Sequence, residues 1–245
     1  MTIRKDEWFS ALFGYPVFSM NARSVRNSES RTEMIAEHAR LQDRAFYFTK
    51  VPVADVETVR GLAGAGFYAV DVHVNLCCEI GQASTSQPAL HEIREPSGSE
   101  WDAVLDIAGS TFRFSRFHLD PLIPDTLANL IKRSWMESYR SGARGEKVLI
   151  ALAHGEPAGF LAVHKSQGND SSIHRIDLIG VKRGMERQGV GRALTAFFMQ
   201  EFGRASRQCP VDPIVRGPWF QVGSRLLRPS HACEQFQMTI PTTGR

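Results

Sequence analysis

The residues best suited to chemistry form one short run, Arg187-Gln188-Gly189-Val190-Gly191-Arg192. Upstream, Ile173 to Val181 is apolar and β-branched with the short alternation of a strand, and it breaks at the polar turn Lys182-Arg183-Gly184. Downstream, Val190, Leu194, Phe197 and Phe198 recur at helical spacing, with Arg192, Thr195 and Gln200 on other faces. A strand therefore ends, and a helix begins, around two glycines. The start of a helix presents backbone N–H groups with no intrahelical partner, at the positive end of the helix dipole. Glycines there remove the Cβ atoms that would hold a ligand off. The expected chemistry is anion binding, with a phosphate or pyrophosphate as ligand.

Spacing excludes two other phosphate loops. A nucleotide P-loop needs Lys-Ser/Thr after its last glycine, and none follows Gly191; a dinucleotide fingerprint needs a third glycine where Leu194 stands. What remains, Glu186-Arg187-Gln188-Gly189-Val190-Gly191 between a strand and a helix, resembles the acetyl-CoA loop of the GNAT superfamily of N-acyltransferases, Gln/Arg-x-x-Gly-x-Gly/Ala. Glu186 departs from the pattern and brings a carboxylate near the expected pyrophosphate. The resemblance implies an α/β (α+β) chain with the GNAT acyl-CoA N-acyltransferase fold. It also implies acetyl-CoA as acyl donor, with Arg187, Gln188, Gly189, Val190, Gly191 and Arg192 as its binding residues. In the family the acyl-pantetheine arm lies along the preceding strand, where the matching positions are Ile179, Gly180 and Val181.

The elements that position this loop run from about residue 92 to 204. Ser97 and Glu100 have capping-box spacing ahead of a helix carrying Trp101, Val104, Leu105, Ala108 and Phe112. Pro124-Asp125 opens a second helix with Leu127, Leu130, Ile131, Trp135 and Tyr139 in its stripe, ended by Gly142. Strands over Lys147–Ala153 and Gly159–Lys165 flank a hairpin turn at His154-Gly155-Glu156-Pro157. Helix, helix, hairpin, strand, glycine loop, helix is the GNAT order.

Ahead of it, Trp8–Phe13 reads as a short helix and Thr32–Arg44 as an amphipathic one, with a polar loop between. Phe46–Val51 reads as a strand, Asp55 as the cap of a helix ended by Gly66, and Tyr68–Leu76 as an alternating strand that places Asp71 and His73 on a solvated face. That order looks like the closing half of a GNAT fold without an acyl-CoA loop. Residues 1–85 are therefore read as an accessory, incomplete GNAT-like domain, 86–92 as a linker, 93–204 as the catalytic core, and 205–245 as an atypical, irregular tail.

Composition is that of ordinary globular protein, with 42% hydrophobic and 22% charged residues in 245. No apolar run is long enough to span a membrane, and charge interrupts the N-terminus before a signal-peptide core forms, so a cytoplasmic location is expected. Cys77, Cys78, Cys209 and Cys233 lack metal-ligand spacing and read as reduced thiols; no metal is expected. Six arginines from Arg204 onward, against Asp212 and Glu234, outweigh the net charge of +3 and leave the rest slightly acidic, so nucleic acid is not the expected partner. The tail also holds five of the twelve prolines, which hinder a continuous strand-helix-strand, and no tyrosine follows Tyr139. An altered reading frame near Arg204–Pro210 and genuine divergence are the two explanations. The alternative function is accordingly a non-catalytic or inactive acyl-CoA-binding relative.

Acyl transfer from a thioester needs a neutral amine, a polarised carbonyl and a proton for the leaving thiolate. The tyrosine that protonates the thiolate in the family has no counterpart here; His118, Asp120 and His174 are the candidate acid–base groups. Phe114-Ser115-Arg116-Phe117 with Asp120 resembles a segment of the dTDP-amino-sugar branch of the superfamily, implying a nucleotide-linked amino sugar as the amine substrate. Arg113 and Arg116 would then pair with its diphosphate and Phe112, Phe114 or Phe117 would stack on its base. Equally, the phenylalanines close a core. A homodimer is left open.

Overall fold

A computed structural model describes residues 2–21, 28–73, 91–167, 172–203, 220–222, 225–227 and 235–242. In chain order the elements are β1 (Thr2–Lys5), α1 (Glu7–Phe13), β2 (Val17–Asn21), α2 (Ser28–Arg40), β3 (Ala45–Pro52), α3 (Val56–Gly64) and β4 (Tyr68–His73). There follow β5 (Glu92–Arg94), α4 (Glu100–Thr111), the short α5 (Arg116–Leu119), α6 (Asp125–Arg140), β6 (Lys147–Ala153), β7 (Glu156–Gln167) and β8 (Ser172–Val181). The last are α7 (Val190–Gly203), β9 (Phe220–Val222), β10 (Arg225–Leu227) and β11 (Gln235–Thr242). The four cysteines and nearly all of the expected linker lie outside the described residues.

The chain divides into two units, one holding the described residues among 1–75, 113–128 and 232–245, the other those among 76–112 and 129–231. Neither is a continuous stretch of sequence. In the first, five strands are ordered β1-β2-β3-β11-β4. Asp6 caps α1 by accepting from the Phe9 N–H at 3.0 Å, and Asp55 caps α3 by accepting from the Thr58 N–H at 3.2 Å. Phe18, Ile35, Tyr47, Leu62 and Phe67 form its core, with the Tyr47 hydroxyl 2.8 Å from His38 Nδ1.

Three features of this unit differ from the expectation. β1 and β2 carry too little alternation to be read from sequence. The expected irregular tail instead supplies β11, antiparallel to both β3 and β4 and separating them, with Thr242 opposite Ala45 and Gln235 opposite His73. A strand recruited from so far along the chain leaves no local signal. Finally, Asp71 is not on a solvated face. The register against β11 shifts so that Ala69 and Asp71 oppose consecutive residues, leaving Val70 extra. Such a bulge inverts the alternation beyond it: Val72 turns outward at 48% exposure, while Asp71 is half-buried with its Oδ1 shielded from solvent.

In the second unit, β5-β6-β7-β8 form an antiparallel sheet covered on both faces. Val148, Ile150, Leu152, Phe160 and Ala162 meet α4 and α6 on one face; Leu149, Ala151, Leu161 and Val163 meet α7 through Val190, Leu194 and Phe202 on the other. Burial on both sides explains why β6 is an almost unbroken apolar run. The α6 stripe is rotated from the one read in sequence: Ala128, Ile131 and Met136 are fully buried while Leu130 is exposed. Among the described residues no helix is long and apolar enough to cross a membrane.

The capping box at α4 is one-sided. Glu100 Oε2 accepts from the Ser97 N–H at 2.7 Å and from its hydroxyl at 2.6 Å, so that hydroxyl does not cap the helix. Arg94 holds both carboxylate oxygens in a fork at 2.7 Å. Hydrogen bonds from Arg94, then from Ser97, bring the Glu100 carboxyl down from 4.5 to about 2. A depressed carboxyl stabilises the fold above its unfolded pKa and loses that contribution as pH falls through the folded value. Glu100→Gln is therefore expected to lower Tm at pH 7, with the gap to wild type closing between pH 4.5 and 2 in a pH series of thermal melts.

Candidate active site

The passage from β8 into α7 is built by hydrogen bonds within the second unit. Beyond Val181 the chain stays attached to the sheet through Lys182 N–H donating to Ala158 O at 2.8 Å. The turn that follows carries left-handed φ at Gly184 (83°), Arg187 (61°) and Gly189 (81°). Arginine in that region costs about 1–2 kcal/mol, so the turn must be held by its neighbours. Gly184 N–H donates to Glu186 Oε2 at 2.6 Å, and Gln188 Nε2 donates to Gly184 O at 3.1 Å. Glu186, the departure from the family pattern, thus spends its carboxylate bracing the turn.

The first intrahelical bond of α7 runs from the Ala193 N–H to Gly189 O at 2.8 Å. Helix geometry gives the N–H groups of the first turn, those of Val190 and Gly191, no carbonyl inside the helix. Around them the side chains of Lys182, Arg183, Arg187 and Arg192 are all exposed, so cationic charge adds to the helix dipole. Seating this helix end requires Gly159: a Cβ on it would lie 2.7 Å from Val190 Cγ1 and 2.8 Å from Gly180 O.

Ile179, Gly180 and Val181 pair with Leu161, Phe160 and Gly159, and among the described residues no strand lies on the outer edge of β8. One group near this edge is already engaged, since the Val181 carbonyl accepts from the Thr111 hydroxyl at 3.2 Å. Farther up, the register between β7 and β8 shifts so that Asp177 is the extra residue of a bulge. Its carboxylate accepts from Trp135 Nε1 at 3.1 Å, Tyr139 hydroxyl at 2.8 Å and Arg144 Nε at 2.9 Å. Burial alone would raise its pKa, but the hydrogen bonds from Arg144, Tyr139 and Trp135 hold it below the ordinary carboxylate value. Burial first, and then its bond to Asp177, push the Tyr139 hydroxyl well up.

The other residues singled out in sequence lie elsewhere. His174 stands seven positions before Val181, roughly 20 Å along the strand. Its side chain is 5% exposed, bonded to Glu146 Oε2 at 3.0 Å and packed on Phe202. The remaining five belong to the first unit. His118 Nδ1 is 2.7 Å from the Ser115 hydroxyl. Asp120, 3% exposed, accepts from the Tyr68 hydroxyl at 2.7 Å and the Leu122 N–H at 3.0 Å. Phe117 is buried, and the Arg116 guanidinium lies over the rings of Phe9, Phe48 and Phe117 at 5.8, 5.4 and 4.5 Å. Burial brings Arg116 down to about 10, with Asp71 and Asp6 pulling the other way. Arg113 is exposed. Within the aromatic–basic segment Phe117 is buried with Arg116 against it, while Arg113 and Phe114 are exposed.

Asp177 is not singled out by the sequence pattern, although it gathers three donors here. Its signal was a lone acid in the apolar strand Ile176-Asp177-Leu178, opposite no obvious partner in sequence. Among the described residues no group of three His, Cys, Asp or Glu side chains is placed to hold a metal ion.

No protein-family model matches the chain. A stretch of 117 residues, 46% of this chain, is 28% identical to the spore coat polysaccharide biosynthesis protein SpsD of Bacillus subtilis, and it spans only 38% of that relative's length. Among solved structures, a GCN5-related N-acetyltransferase from Kribbella flavida superposes with a TM-score of 0.54 at 15% identity, over 91% of this chain and 80% of its own. A conserved protein of unknown function from Staphylococcus epidermidis gives 0.54 at 12% identity, over 91% and 83%. At such identities the likeness is one of fold.

Replacing Asp177 by Asn leaves Arg144 facing a neutral amide and weakens three hydrogen bonds. The variant is expected to be less stable by about 1–3 kcal/mol, discounted for the partial exposure of Arg144. Urea unfolding measures this; a change within about 0.5 kcal/mol, the range of neutral surface substitutions, would remove Asp177 from any supporting role.

Proposed function

With the GNAT acyltransferase fold as premise, we propose that the chain transfers an acetyl group from acetyl-CoA to a primary amine of a small molecule. The observation that carries this is the loop 186–192: a left-handed glycine at 189 (φ 81°) opening α7, a second glycine at 191, and four exposed basic side chains around the helix end. N–H groups, dipole and cations together suit the pyrophosphate of a CoA ester. The fit to CoA rests on that donor set. The edge of β8 along Ile179–Val181 suits the amide-bearing arm, which hydrogen-bonds as a strand does.

Bound acetyl-CoA would supply an activated thioester. A neutral amine would take the acetyl group at the thioester carbonyl as the carbon–sulfur bond breaks, and the proton the amine gives up would leave on the CoA thiol. The protein's part is to anchor the cofactor through Arg187–Arg192 and so place the thioester beside β8, where orientation replaces a bimolecular encounter.

For the acceptor we propose an amino sugar, and more narrowly a nucleotide-linked one, with the reaction placed in the cytoplasm. Its support is the name of the Bacillus subtilis relative, a polysaccharide biosynthesis protein, together with the short Ser115-Arg116-Phe117 match.

CoA at about a hundred times its dissociation constant stabilises a folded protein by about 2.7 kcal/mol. For a chain of this size that is a rise in Tm on the order of 5–10 °C. The rise is expected with acetyl-CoA and is expected to vanish in Gly189→Val, whose branched side chain cannot hold φ 81°. An unchanged melt with intact acetyl-CoA would overturn the reading. Free thiol released steadily across a panel of amino sugars and other amines separates a transferase from a protein that only binds CoA.

A further inference from the structure

The imidazole of His91, just before β5, touches two backbone carbonyls of the second unit. Its Nε2 is 3.0 Å from Gln188 O in the loop, and its Nδ1 is 3.3 Å from Leu152 O on β6. A carbonyl oxygen only accepts, so the ring must donate wherever it bonds, and the shorter contact is the one to Gln188. A neutral imidazole carries one N–H, so donation from Nε2 to Gln188 O ties the loop to His91, the residue that leads directly into β5 of the sheet.

Resting on the acyl-CoA reading above, we propose that His91 is a positioning residue that sets the direction of the Gly189 N–H, and so makes the loop an anion cradle. The C=O of Gln188 and the N–H of Gly189 belong to one trans peptide and point in opposite directions. Holding the carbonyl on His91 aims the N–H the other way. That peptide is easily turned over, because Gly189 tolerates both signs of φ. Turned over, it would present an oxygen, which repels a phosphate, in place of a donor. Gln188 is gripped a second time by its own side chain, which donates to Gly184 O at 3.1 Å, but that bond closes within the turn and does not anchor it to the sheet. Among the described hydrogen bonds, only the imidazole holds the Gln188 carbonyl from outside the turn. The role is indirect: His91 acts through the Gln188–Gly189 peptide and has no assigned contact with the reacting atoms.

The test uses the full-length chain and three forms of it. His91→Phe keeps a flat ring and removes the N–H donor, while His91→Gln keeps a side-chain N–H. Backbone amide hydrogen exchange over residues 184–193, measured without ligand, and the dissociation constant for CoA are the two readouts. His91→Phe is expected to exchange faster in this segment alone and to bind CoA between about threefold and tenfold more weakly, one hydrogen bond's worth. His91→Gln is expected to recover most of both. In turnover the change should fall on KM for acetyl-CoA and leave kcat. Loop exchange and CoA affinity unchanged in His91→Phe, or lost equally in His91→Gln, would overturn the proposal. If His91→Phe does not fold, His91→Ala takes its place under the same criteria. Should the wild type itself bind no CoA, the acyl-CoA reading fails, and the exchange comparison still decides whether His91 holds the loop.

Discussion

How near α7 can come to the sheet governs the whole second unit. Val190, 1% exposed, sits where a side chain at 159 would otherwise be, and a Cβ at Gly159 would also meet the carbonyl of Gly180 at 2.8 Å. A buried β-branched residue is stiff, and the sheet is backbone, so neither partner can yield cheaply. From that seat Leu194 and Phe202 fall along the same face of the sheet as Leu149, Leu161 and Val163. The start of the helix is thereby fixed beside the end of β8, which brings loop donors and strand edge to one place. Binding geometry here is a consequence of packing.

The opposite face of the sheet shows a different solution. Asp177 stands at a bulge, and its carboxylate collects donors from Trp135, Tyr139 and Arg144. Removing a charge from water is costly unless its lone pairs are used, and here three donors use them. The outcome is a carboxylate that stays ionised despite burial, and a bulge whose extra residue has a reason to be where it is. The bond from Thr111 to the Val181 carbonyl does similar work at the lower end of β8. Strand, bulge and turn are thus held by side chains from α4, α6 and the segment after it, while the outer edge stays clear among the described residues.

Glutamate at position 186 has a comparable explanation. Read beside a pyrophosphate it would repel; bonded to the Gly184 N–H at 2.6 Å it offsets a left-handed turn that contains Arg187. In the first unit, Arg116 shows the reverse of what its sequence suggested. Its guanidinium lies over three phenylalanine faces, a cation–π arrangement that satisfies the charge within the core. Charged residue types announce chemistry in both cases, and packing decides which chemistry.

What the sequence determined by itself was whatever depends on neighbours close in the chain. The strand, glycine turn and helix around Arg187–Arg192 were legible because alternation, φ-permissive glycines and helical spacing are all local. The same holds for the His154-Gly155 hairpin, the cap at Asp55, and the order of elements that resembles a GNAT core. Tertiary structure alone decided three things. It placed β11 between β3 and β4, a pairing of residues as distant as 45 and 242. It inverted the alternation of β4 through a bulge at Val70, so that Asp71 is half-buried. It also brought His91 to Gln188 and Asp177 to Arg144, contacts that leave no periodic trace. Hydrogen bonds between segments far apart in the chain depend on where the backbone has already gone, and periodicity in one strand or helix carries no record of that.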